Sequence, residues 1–263
     1  MRWLCLLAVS AAPSLLFGQL APPNAAGVSL GHIHLVVPDA DAQTKAWVDV
    51  MGAKPVDAGR LKPLKLPGIF IIITKANKPP TGGTNGSVVN HIGFAVKDYA
   101  AIKAKAMAAG LKWQELTPNQ QAFVTFPDDV RVEIMEDKNL STPVAFHHIH
   151  ESVLDQAGAR AWYMKEFGAE SSTRRNMPAA KIPGGEVDFL KARTAPAGTR
   201  GRSLDHIGFD VTDLQAFMKK MQADGVTVNM PFRDMQKAVG LDIAFITDPN
   251  GTYIEVTQGL ASK

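Results

Sequence analysis

Four histidines recur at matching places in this chain, and imidazole is the side chain that ligates metal ions and moves protons near neutral pH. They open the segments His32-Ile33-His34, His91-Ile92-Gly93-Phe94, His148-Ile149-His150 and His206-Ile207-Gly208-Phe209. An aspartate follows each of them by seven positions: Asp39, Asp98, Asp155 and Asp213. Packing alone does not explain such a recurrence, and an internal repeat of this kind governs the whole architecture. Thiolate chemistry is absent from the same stretch, because the single cysteine, Cys5, lies near the N-terminus. Disulfides, thiolate metal sites and cysteine nucleophiles are therefore excluded from the repeats.

The elements that must position these histidines follow from the same spacing. Aspartate can accept hydrogen bonds from the free N–H groups of a first helical turn, and glycine ends a helix in the left-handed conformation. Helices are thus expected over 39–52, 98–110, 155–168 and 213–225, each running from such an aspartate to a glycine. A short apolar strand precedes each helix and strand-like segments follow it, which gives four βαβββ units. In the third unit 176–185 reads as a loop, leaving 187–190 as its clear strand. Units one and three share His-Ile-His, while two and four share His-Ile-Gly-Phe. Their offsets are 116 (148 minus 32) and 115 (206 minus 91), as duplication of a two-unit domain would give. The expected layout is a lead-in at 19–29, domain one at 30–137, a linker at 138–144, domain two at 145–258 and a tail at 259–263. The Ile-Gly-Phe beside the even histidines reads as strand packing.

The βαβββ unit, the strand-head histidines and the closing Asp248-Pro-Asn-Gly-Thr-Tyr-Ile-Glu255-Val resemble the vicinal oxygen chelate superfamily. That family includes glyoxalase I, extradiol dioxygenases, methylmalonyl-CoA epimerase and antibiotic-resistance proteins, and the likeness extends over residues 30–258. The resemblance implies an α+β fold in which two units form a cupped eight-stranded mixed sheet around a divalent metal. Carried over by motif position, it implies ligands His148, His206 and Glu255 in domain two, and His32, His91 and Glu133 in domain one. Two imidazoles and a carboxylate suit Fe, Mn, Ni or Zn and leave positions open for substrate. His34 and His150, two residues beyond a presumed ligand, share its face of the strand. Each reads either as a hydrogen-bonding or proton-transfer group beside substrate, or as a pocket-lining residue. Some family members use a further carboxylate on the last strand of the odd unit. Asp188, ahead of Glu186, fits that place in unit three, whereas Ile71, Ile72 and Ile73 occupy it in unit one.

Charge narrows the partners. The formal net charge is only +3 and the basic residues form no long run, which sets nucleic acid aside. Arg174, Arg175, Lys181, Lys191 and Arg193 lie around the Asp188 strand, either as holders of an anionic substrate or as solvated surface. Met1-Arg2-Trp3 followed by the uncharged apolar run 4–17 is a secretory pattern. It predicts a signal peptide over 1–18, a secreted or periplasmic protein, and no membrane association after cleavage. The expectation is an exported metalloenzyme acting on a small substrate chelated through neighbouring oxygens, by dioxygenase-like or lyase/isomerase-like chemistry. The alternative is a non-catalytic protein that sequesters a small ligand, as bleomycin-resistance members do.

Overall fold

Each of the four aspartates caps a helix. In a computed structural model of the chain, which describes residues 20–57 and 61–263, their carboxylates accept from Ala42 N at 2.9 Å, Ala101 N at 2.8 Å, Gly158 N at 3.0 Å and Ala216 N at 2.9 Å. The stopping glycines Gly52, Gly110, Gly168 and Gly225 all take positive φ, from 63° to 75°, where a side chain is strained. The leader expected at 1–18 and Cys5 lie outside the described residues. Among the described residues no helix is long and apolar enough to cross a membrane.

The units are successive. The first comprises β1 (Val28–Val37), α1 (Ala40–Met51), β2 (Lys54–Pro55), β3 (Leu64–Leu66) and β4 (Ile69–Lys75). The second comprises β5 (Val89–Val96), α2 (Tyr99–Ala108), β6 (Lys112–Thr117), β7 (Gln121–Phe126) and β8 (Val130–Glu136). The third comprises β9 (Val144–Val153), α3 (Gln156–Phe167), β10 (Glu170–Arg174), β11 (Met177–Ile182) and β12 (Gly185–Lys191). The fourth comprises β13 (Leu204–Val211), α4 (Leu214–Ala223), β14 (Thr227–Asp234), the short α5 (Gln236–Val239), β15 (Asp242–Thr247) and β16 (Tyr253–Gln258). Segment 176–185, expected as a loop, is instead largely β11. A two-residue turn of Arg175 (φ 47°) and Asn176 (φ 66°) joins it to β10, and arginine in a left-handed turn leaves no sequence signal.

The fold is α+β, with two eight-stranded mixed sheets and flanking helices. Their membership corrects the expectation that units one and two share one sheet and units three and four the other. One sheet runs β14-β15-β16-β13-β1-β4-β3-β2 and the other β10-β11-β12-β9-β5-β8-β7-β6. Unit one therefore joins unit four, and unit two joins unit three. Connection length supplies the physical reason. Seven residues separate β8 from β9, so these stay in one sheet, whereas thirteen separate β4 from β5 and twelve separate β12 from β13. The two longer connections pass between the sheets and bind each other, through Thr81 N to Gly201 O at 2.9 Å, Ser203 N to Gly82 O at 2.9 Å and Val88 N to Ala197 O at 2.8 Å.

One apolar core fills the space behind both sheets. Trp47 on α1 stacks on Phe126 of the other sheet at 4.5 Å, and Phe167 on α3 meets Phe209 of the other sheet at 4.4 Å. The core also encloses a polar knot. Glu151, on β9, accepts from Tyr163 Oη and Thr252 Oγ1, both at 2.7 Å, and Thr252 N donates to Asp248 at 2.6 Å. Burial, then the neighbouring Asp248 charge, raises the Glu151 carboxyl well above its ordinary range; burial lifts Asp248 to about 6. A carboxyl raised on folding gives its full stability below its unfolded pKa and loses it as pH rises through the folded value. Wild type should therefore lose about 1–3 kcal/mol relative to Glu151→Gln between pH 5 and pH 8. Urea unfolding of both proteins checks this, and parallel pH profiles would contradict it.

Candidate functional site

Register across the opening strands builds the sites. In the first sheet His32 faces Gly208 on β13, and Gly208 faces Glu255 on β16, so a histidine, a glycine and a carboxylate form one row across three strands. In the neighbouring row His34 faces His206 on one side and Ile72 on the other. The second sheet repeats the plan, with His148, Gly93 and Glu133 in one row and His91, His150 and Asp188 in the next. Register shifts flank the histidines in both pairings, and such bulges re-aim side chains.

The glycines make the rows possible. A Cβ added at Gly208 would fall on the His32 ring, and one at Gly93 on the His148 ring. The Gly in His-Ile-Gly-Phe is therefore the slot into which the imidazole of the adjoining strand folds. Reading that segment as plain strand packing missed this; the repetition of glycine at both positions was the available signal.

Two sets of convergent donors result. Centre one is His32, His34, His206 and Glu255; centre two is His91, Glu133, His148 and His150. In each set the ligand atoms lie within 4.8 Å of one another. His32 Nε2 and His206 Nε2 lie 2.9 and 3.1 Å from the same oxygen of Glu255. His148 Nε2 and His91 Nε2 lie 2.9 and 3.3 Å from one oxygen of Glu133, and His150 Nδ1 lies 2.6 Å from His91 Nε2. The expected triads are thus recombined. His148, grouped with His206 and Glu255 in the sequence, stands with His91 and Glu133, while His32 stands with His206 and Glu255. This follows directly from the sheet pairing. His34 and His150 belong to the donor sets themselves.

Asp188 lies behind His150, its Oδ2 3.1 Å from Nε2, and it also accepts from Arg174 Nη1 at 2.7 Å. Glu186 is 3.9 Å from Arg174 Nε. Centre one has Ile72 at the Asp188 place, and there His34 Nε2 meets Thr74 Oγ1 at 2.7 Å. Neighbouring residues fix two further rings: Asp205 Oδ1 meets His206 Nδ1 at 2.7 Å, and Asn90 Oδ1 meets His91 Nδ1 at 2.8 Å. Such partners orient a ligating imidazole. Gln121 Nε2 donates to Glu133.

Burial lowers His91 to about 4 and His148 to about 3, against the pull of Glu133. Both rings are therefore neutral at physiological pH and offer a lone pair. Burial works to raise Glu133 and Glu255, but the hydrogen bonds and charge of their imidazoles carry both well below the usual carboxylate range. Burial disfavours charge on His206, yet Asp205 and Glu255 overcome it and raise that ring. Two buried ring nitrogens, His32 Nδ1 and His34 Nδ1, have no hydrogen-bond partner. Leaving such an atom unsatisfied costs on the order of 1–3 kcal/mol, and a cation bound by the cluster removes that cost for a nitrogen aimed at it. The donor sets, imidazole with carboxylate, fit a divalent transition metal.

The family model of the Glyoxalase/Bleomycin resistance protein/Dioxygenase superfamily matches residues 145–256. That segment holds units three and four, which lie in different sheets. Among solved structures, glyoxalase I from Zea mays is similar at 14% identity with a TM-score of 0.69, covering 89% of this chain and 94% of that chain. A putative dioxygenase from Bacillus subtilis subsp. subtilis str. 168 is similar at 16% identity with a TM-score of 0.61, covering 91% and 86%. These likenesses establish a common fold. A search of the curated proteins found no match.

Gly208→Ala should displace His32, costing about 1–3 kcal/mol as overpacking does, and abolish cation binding at centre one alone. Gly93→Ala should do the same at centre two. Metal analysis with urea unfolding tests both, and an unchanged metal content in either variant would show that the slot is dispensable.

Proposed function

On the premise that the chain belongs to the glyoxalase/bleomycin resistance/dioxygenase superfamily, we propose that it is an exported metalloenzyme with two divalent-metal centres. It acts on a small substrate chelated through neighbouring oxygens. The carrying observation is the presence of two complete sets of three histidines and one glutamate at equivalent places in two sheets, all buried except the half-buried His34. Export rests on the basic start and uncharged apolar run at 4–17, and on the lack of cysteine beyond Cys5.

In this reading His32, His34, His206 and Glu255 hold one cation, and His91, His148, His150 and Glu133 the other. A bound divalent metal supplies Lewis-acid polarisation of substrate oxygens. The protein supplies the rest. Asp205 and Asn90 lock His206 and His91 with Nε2 turned toward the glutamate, and the Gly208 and Gly93 slots seat one further imidazole in each centre, His32 and His148. In centre two the Asp188 carboxylate lies 3.1 Å from His150 Nε2, while Nδ1 is turned toward the cluster, 2.6 Å from His91 Nε2. Should His150 leave the donor set to substrate, the Asp188–His150 pair is arranged to take up and return a proton. His34 has only a hydroxyl partner, so centre one is the weaker at proton transfer. The pair favours lyase or isomerase chemistry at centre two. Ring-opening dioxygenation suits centre one, where Phe245 and Tyr253 stack 4.8 Å apart beside His206.

Metal content tests both the function and the ligand pairing. Wild type should hold two equivalents per chain and His206→Ala about one. The double variant His32→Ala/His206→Ala should also keep one, because both residues serve centre one. His148→Ala/His206→Ala should keep none. Protein that binds no divalent cation after reconstitution is not this enzyme but a ligand-sequestering relative. Oxygen uptake by Fe(II)-loaded protein on catechols then separates dioxygenation from lyase or isomerase turnover.

A further inference from the structure

The two centres share their donors but not their surroundings, and the difference has a chemical sense. β7 and β15 carry equivalent positions: Phe123 faces Glu133 and Phe245 faces Glu255. Each ring meets the even histidine edge-on, at 4.9 Å from His91 and 5.2 Å from His206. Two residues before each phenylalanine stand Gln121 in centre two and Ile243 in centre one. Two residues before each glutamate stand Arg131 and Tyr253. Centre one is thus finished with an aliphatic and an aromatic side chain, where centre two has an amide and a guanidinium.

The guanidinium has company. A cavity of about 320 Å³ opens over centre two, lined by His91, Glu133 and His150 together with Arg131, Arg174 and Arg175. Arg174 is committed to Asp188 at 2.7 Å. The other two arginines have no carboxylate within ion-pair distance among the described residues. Arg131 lies 3.5 Å over the Phe123 ring and donates to Asn90 Oδ1 at 3.3 Å. Arg175 donates to Gln121 Oε1 at 2.9 Å, and Gln121 in turn donates to Glu133. Both therefore meet neutral acceptors at the wall of a cavity whose floor is the donor set. Leu116, Phe123 and Met177 give the same cavity apolar walls. A guanidinium without a counter-ion in such a place is a ready partner for a carboxylate, which it can hold through paired N–H donors.

We propose that centre two selects a small ligand that carries a carboxylate in addition to its neighbouring oxygens, with Arg131 and Arg175 as the specificity-determining residues, and that centre one does not. The inference rests on the metal reading above. A metal held by His91, His148, His150 and Glu133 would supply the site for the oxygen pair, while the apolar walls take the body of the ligand and the two arginines its anionic end. In centre one the phenol of Tyr253 stands where Arg131 would be, and Asp205 adds a negative charge at His206.

The test uses full-length Zn(II)-loaded protein and two probes that differ only in charge, catechol and 3,4-dihydroxybenzoate, measured by calorimetry. With centre one removed by His32→Ala/His206→Ala, the carboxylate probe should bind about tenfold or more tightly than catechol, as charge-assisted hydrogen bonds allow. Arg175→Gln should lower that preference several-fold, and Arg131→Gln/Arg175→Gln should abolish it, by weakening the carboxylate probe far more than catechol in protein of measured zinc content. Arg175 is exposed, so its single variant remains a test should the double variant fold poorly. With centre two removed instead by His91→Ala/His148→Ala, no preference should appear. A preference that survives the double arginine substitution, or none in the parent, overturns this inference alone. Absence of bound zinc overturns the metal reading and this inference with it.

Discussion

Everything functional here depends on one antiparallel pairing, made twice, in which a histidine strand lies beside a glycine strand. His32 opposite Gly208, and His148 opposite Gly93, bring the only large polar rings of a buried row into a gap where no Cβ intrudes. The glutamate one strand further then receives two imidazoles on one oxygen. Burying a carboxylate is costly unless it is fully partnered. Here the partners are strong enough to keep both glutamates ionised despite burial, so each sheet carries a fixed negative point ringed by imidazole nitrogens.

Around that constant arrangement the two sheets diverge in ways that carry no penalty for the fold. Ile72 or Asp188, Ile243 or Gln121, and Tyr253 or Arg131 all occupy equivalent positions without altering strand register. The donors are determined by backbone geometry, and the chemistry around them by side chains that rim the cup. One duplicated frame can in this way hold two unlike environments.

Much of this was legible in the sequence. Six of the eight donors, the aspartate caps and the glycine stops stood out because each is a local feature repeated four times or twice, whereas His34 and His150 were legible only as residues sharing a face with a ligand. The partnership of the units was not legible from the repeat, since a strand like β1 meets the same pattern in β5 and in β13. Only connection length distinguished them, seven residues against twelve and thirteen. The third unit's hairpin was hidden by Arg175 and Asn176, which adopt a turn usually marked by glycine. Asp188 looked like one more ligand because strand alternation gives its face but not its depth, and it lies behind His150. Arg131 and Gln121 gave no signal, being ordinary strand residues until β7 and β8 are folded over the cup.

The crossed pairing also sets an order in time. The contacts of centre two link positions 15 to 59 apart along the chain, from Glu133 with His148 to His91 with His150. The bond between His32 and Glu255 closes a loop of 223 positions. Closing a long loop is the slower and entropically dearer event. As the chain emerges from its N-terminus, the middle two units can complete their sheet while β1 still waits for β13. β1 is thus made before β13 yet is placed only after it, so its edge stays unpaired while units two and three complete their sheet.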